Sequence, residues 1–137
     1  MNGNGAPSWT REPPAADEVI RELVRQAGVP LPPEYLAFLR DSNGGEGELG
    51  VQPGWFVMWR AEEVVKLNHG YEVAENVPGF FGFGSSGGGE LLAFDTRGGQ
   101  PYPVAAVPFI VMSPKDALPV ATSFATFEAL MGKEWGE

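Results

Sequence analysis

Apolar residues recur at helical spacing early in the chain, through Val19, Ile20, Leu23, Val24 and Ala27. Asp17 and Glu18 supply the acidic start a helix favours, and Gly28 supplies the stop, so the pattern predicts a helix between them. After the turn Val29-Pro30-Leu31-Pro32, Pro33 and Glu34 open a second predicted helix. Its apolar face is Tyr35, Leu36, Phe38 and Leu39, and Asn43-Gly44-Gly45 closes it. The two helices are expected to pack as a hairpin. From Leu49 the pattern changes to short apolar runs. Trp55-Phe56-Val57-Met58-Trp59 predicts a strand, and Ala61 to about His69 returns to helical spacing through Val64, Val65 and Leu67.

Phe80 to Phe83, Glu90 to Asp95 and Tyr102 to Val107 predict three more strands, joined by glycine-rich turns at Gly84–Gly89 and Arg97-Gly98-Gly99. Turns this short oblige neighbouring strands to pair antiparallel. Ser123 is placed to cap a last helix with Phe124, Phe127, Leu130 and Met131 on one face. The sum is an α+β domain: two N-terminal helices, a small, mainly antiparallel sheet interrupted by one helix, and a C-terminal helix. Residues 1–14, rich in Gly, Asn, Pro and Ser, read as a flexible arm in which only Trp9 is a candidate to dock. Residues 15–137 are expected to form a single domain.

The 137 residues suit one domain, and 43% hydrophobic content is enough to bury a core. Charge narrows the functional classes. Nine Lys and Arg against 18 Asp and Glu leave −9 with the single His69 neutral, a balance that repels phosphate backbones and favours a basic protein partner over nucleic acid. The absence of cysteine removes disulfides, thiol catalysis and Cys-type zinc sites. No basic region with an apolar run marks a signal peptide in this sequence, and Val104 to Met112, the longest apolar stretch, falls far short of a bilayer span. A soluble, cytoplasmic protein without membrane association is the expectation.

The chemical motifs weaken on inspection. Gly82-Phe83-Gly84-Ser85-Ser86-Gly87 formally matches a dinucleotide-binding glycine loop, but a predicted strand follows it where a helix N-terminus is needed. Gly84-Ser85-Ser86-Gly87-Gly88 fits a nucleophile elbow, yet His69 precedes the serine and the following helix is again missing. Asp41-Ser42-Asn43-Gly44-Gly45-Glu46 starts like a calcium loop. Gly45 offers no side-chain oxygen, however, Glu46 occupies the turn-glycine position, and Gln52 stands where a bidentate acid belongs. His69 alone makes no zinc site. What remains is a concentration of charge. Glu34 to Asp95 holds ten acids against three bases, and so −7 of the −9, with Trp55, Trp59 and Tyr71 among them. Aromatics rimmed by charge suit a protein interface, and tryptophan in a small sheet equally suits the core.

Leu31-Pro32-Pro33-Glu34-Tyr35-Leu36-Ala37-Phe38-Leu39, ending in Asn43-Gly44-Gly45, resembles the signature helix of the SUKH superfamily, which includes the Smi/Knr cell-wall-assembly regulators. Later blocks follow in the family's order: Trp59 and Glu62 with Asn68 and Tyr71, Phe81-Gly82, Leu91-Leu92-Ala93-Phe94-Asp95, Pro103-Val104, and Ser123-Phe124 with Phe127. The resemblance spans roughly residues 17–131. It implies an α+β domain without catalytic residues or cofactor, used in bacteria mostly as an immunity protein that binds and neutralises a polymorphic toxin, often a nuclease. Eukaryotic members act instead as regulatory scaffolds.

The charge then suggests a mechanism. A nuclease needs a basic surface for its substrate, and an acidic domain can steer onto that surface and occlude it. The expected contact residues are Asp41, Glu46 and Glu48 in the loop after the second helix, with Glu62, Glu63 and Glu90 as neighbours. A regulatory scaffold and, behind it, a small enzyme or ligand-binding domain remain as alternatives.

Overall fold

The computed structural model describes residues 9–135. Strand β1 (Trp9–Arg11) leads into helices α1 (Asp17–Ala27) and α2 (Pro33–Asp41). Strands β2 (Gly45–Glu48) and β3 (Trp55–Met58) precede α3 (Ala61–Gly70) and the short α4 (Val73–Asn76). Strands β4 (Phe80–Ser85), β5 (Glu90–Asp95) and β6 (Val104–Pro108) follow, then a 3-10 turn (Pro114–Asp116), β7 (Leu118–Ala121) and α5 (Phe124–Ala129). The seven strands form one sheet in chain order, every neighbouring pair antiparallel. The fold is α+β, as the helix and strand patterns require.

Alternation along the strands sorts the sheet into two faces. One is packed by α2 and α5. There Tyr35, Phe83, Phe94, Phe124 and Phe127 meet in tilted and edge-to-face pairs, with Phe83 and Phe94 at 4.5 Å between centroids and Tyr35 and Phe94 at 5.3 Å. Phe56 and Met58 of β3 extend this core, and Trp9 stacks on Phe38 at 5.6 Å. At the end of β3 the chain turns into α3, which lies against β4. Buried Asn68 occupies the place of a missing strand partner there. Its Nδ2 donates to the carbonyl of Gly82 at 2.8 Å, and the N–H of Gly82 donates back to its Oδ1 at 2.8 Å.

Four regions depart from the sequence expectation. Within the segment expected as an arm, Trp9–Arg11 is a strand paired with β2, because Trp9 gains burial against Phe38 and Phe56. Its residues 1–8 lie outside the described residues. The loop expected to hold Glu46 and Glu48 is strand β2, although Gly-Glu-Gly-Glu carries no strand-forming side chain. Pairing on both sides and the ring of Trp9 explain it, since a Cβ on Gly45 would come within 2.8 Å of that ring. Finally, β7 and α4 add elements where the pattern showed only short, mixed segments. The Ser123 cap forms as expected, accepting a hydrogen bond from the N–H of Thr126. Val24, assigned to the apolar face of α1, is instead 45% exposed.

Candidate functional site

Among the described residues, the face of the sheet opposite α2 and α5 is open over β1 to β3. Register puts Thr10, Glu46 and Val57 side by side there, and sets Glu48 opposite Trp55. Glu46 is exposed, Glu48 half-buried and Trp55 38% exposed. The glycines alternating with these acids face the other way, under Trp9 and beside Phe56. Beyond β3, Ser85 continues the row opposite Val57. The turn after it folds back over the same face. Gly87 has φ 79°, and a Cβ there would approach the Trp55 ring to 3.0 Å, so glycine both permits the turn and admits the tryptophan.

Over β4 to β6 the same face is closed by aromatic stacking. Trp59 lies parallel to Tyr71 at 6.1 Å, and Tyr71 meets Phe109 at 4.6 Å. Phe109 extends the β6 row beyond Val107, its N–H donating to the carbonyl of Gly89. Trp59 and Phe109 are inside or half-inside this layer, whereas Tyr71 is 42% exposed. Sequence alone could not divide the tryptophans, and the fold does: Trp59 is packing and Trp55 is surface.

The six acids predicted from sequence do not converge on one patch. Glu46 and Glu63 line a common groove of about 250 Å³ together with Glu12 and Arg60, and Glu48 lies on the same sheet face as Glu46. Arg60 reaches Glu12 at 3.7 Å. Glu62 turns toward a separate cleft of about 520 Å³ between α1 and α3, where Glu18 and Glu22 join it. The Asn43 side chain spans this corner, donating to Glu62 at 2.8 Å while its oxygen accepts from the N–H of Ala61 at 2.7 Å. That hydrogen bond is the main reason the Glu62 carboxyl sits below the usual carboxylate range. Asp41 ends α2, on the helical layer, close enough to Glu128 to reinforce the upward shift that burial imposes there. Glu90 belongs to the opposite sheet face.

Glu12, Glu18 and Glu22 do not stand out in the sequence, because the acids concentrate between Glu34 and Asp95 while the folded chain brings the N-terminal acids alongside. The signal available was the acidic share of the first helix. The serine of the elbow-like motif is engaged structurally. The Ser86 hydroxyl donates to Glu90 Oε1 at 2.6 Å and accepts from the N–H groups of Gly88 and Glu90. The glycine turn then runs into β5, with no helix following. His69 is exposed near the end of α3. Among the described residues no three His, Asp or Glu side chains gather in a metal-holding group, and no helix is long and apolar enough to cross a membrane.

Comparison with curated proteins finds no match. The family model of the SMI1 / KNR4 family (SUKH-1) matches residues 14–129, from the segment before α1 through the whole of α5. By that match, and with the α+β architecture described above, this chain belongs to the SMI1 / KNR4 (SUKH-1) family.

Proposed function

We propose that this domain is a non-catalytic protein-binding module of the immunity type, which neutralises a toxin by occupying a basic surface on it. The observation that carries the reading is the open face of β1 to β3. Exposed Glu46 and half-buried Glu48 flank Val57 and Trp55 there, while the apolar core is closed on the other face. An aromatic anchor set among carboxylates combines desolvation energy with long-range steering. The net charge of −9 supports a cationic partner and disfavours self-association. Inhibition of this kind needs no bond-making chemistry: a nuclease whose phosphate-binding surface is covered cannot hold its substrate. The protein acts in the cytoplasm under this reading, where a toxin and its substrate meet.

The test is affinity capture by the full chain from its native host at low and high salt, followed by mass spectrometry. One stoichiometric basic partner carrying a toxin-like domain, retained better at low salt, is the expected result. Several weak partners without such a domain would replace this reading by the regulatory scaffold typical of Smi/Knr regulators.

A further inference from the structure

Glu90 stands apart from the other acids in what surrounds it. A cavity of about 230 Å³ opens between the loop joining β2 to β3 and the outer strands, lined by Gln52, Pro53, Glu90, Ala106, Leu118 and Pro119. Strand register builds its floor: Ala106 is paired with both Leu92 and Leu118, and Glu90 is paired with Pro108. The walls are thus two proline rings, a methyl group and a leucine together with the amide side chain of Gln52, and Glu90 is the one charged lining group. Its orientation is fixed, because Ser86 donates to Oε1 at 2.6 Å and is itself held by two backbone N–H groups. Among the described residues Glu90 enters no ion pair, and no donor is bonded to its other carboxylate oxygen.

We infer that this cavity is a receptor for a single arginine side chain presented by a partner protein. A carboxylate held in place in a mostly apolar cavity, and without an ion-pair partner among the described residues, is complementary to a cation on an aliphatic stem. One carboxylate is too few for a calcium or magnesium site, and the volume is below the ~300–1,000 Å³ of small-molecule pockets. Arginine fits better than lysine: its flat, weakly hydrated guanidinium tolerates proline walls and offers parallel donors to the free oxygen and the second lone pair of Oε1. Leu118 is 48% exposed at the rim, so among the described residues the entrance can admit a partner side chain. The inference rests on the proposed function only for the source of the arginine, a cationic protein surface. It adds a second contact on the face opposite Glu46 and Glu48.

The test uses N-acetyl-arginine-N-methylamide, titrated into the isotopically labelled full chain and followed by amide chemical shifts. Saturable shifts at Leu91, Ala106 and Leu118 are expected, weakened about tenfold or more in Glu90→Gln and with the citrulline analogue, which keeps the shape and loses the charge. Ala106→Leu, which fills the slot, should also block binding, while the lysine analogue binds more weakly than arginine. No saturable shift up to about 100 mM, far above the ~1 mM of a weak site, would overturn the inference, as would equal binding by Glu90→Gln or by citrulline. Because the probe replaces the partner, failure here leaves the Glu46 and Glu48 reading standing, and failure of the capture experiment leaves this titration intact.

Discussion

Strand β2 and strand β5 treat their two faces in opposite ways. In β5, Leu91, Leu92, Ala93 and Phe94 are all buried, because α2 and α5 cover one face and the Trp59, Tyr71 and Phe109 stack covers the other. In β2 the inward positions are glycines that receive Trp9 and Phe56, and the outward positions are exposed Glu46 and half-buried Glu48. The central strands therefore hold the fold together from both sides. The outer ones hold it from one side and leave the other free to vary in chemistry, which is where a binding function can be placed without cost to the core.

That contrast is broken most directly at Phe94. Phe94→Ala removes a ring at the centre of the aromatic cluster and should lower stability by about 3–5 kcal/mol in urea unfolding. Asn68→Ala should follow at about 2–3 kcal/mol, since it strands the buried N–H and carbonyl of Gly82 as well as deleting its own bonds. Tyr35→Phe should go the other way. Its hydroxyl is fully buried without a partner, so the variant is expected to be neutral or more stable by about 1 kcal/mol.

Tyr35 also gives stability a pH dependence at the alkaline end. Burial pushes its phenol well above the ordinary value, so the folded state keeps the proton that the unfolded state releases. Its contribution is complete below the unfolded pKa of ~10 and declines as pH rises beyond that, and Tyr35→Phe should flatten the high-pH limb of a stability profile. At the acid end Glu62 has the opposite sign. The Asn43 hydrogen bond holds its pKa down, so its stabilisation is present above ~4.3 and fades as pH falls further. Asn43→Ala should raise the Glu62 pKa in an NMR titration. Glu46→Lys with Glu48→Lys is the smallest effect on stability, expected within about 0.5 kcal/mol of the parent.

The legibility of these regions in sequence follows the same division. Helices α1, α2 and α5 and strands β3 to β6 carry their periodicity in side chains that reach the core, so Tyr35, Phe94 and Phe124 announce themselves. Strand β2 does not, because what makes Gly45-Glu46-Gly47-Glu48 a strand is the fit of Trp9 and β3 against glycine, a tertiary cause with no local sign. The acidic character of the candidate face was legible from composition. Its division was not: only pairing register could place Glu46 and Glu48 on one face, Glu90 on the other, and Asp41 on the helical layer.

Association kinetics decide whether the open face of β1 to β3 meets a basic partner. The captured partner would be mixed with the parent protein and with the Glu46→Lys, Glu48→Lys double variant at low and high salt. The variant is expected to associate about tenfold or more slowly at low salt, with a rate that depends less on ionic strength and with stability unchanged. Equal association rates for the two proteins at low salt would contradict a basic partner at this face.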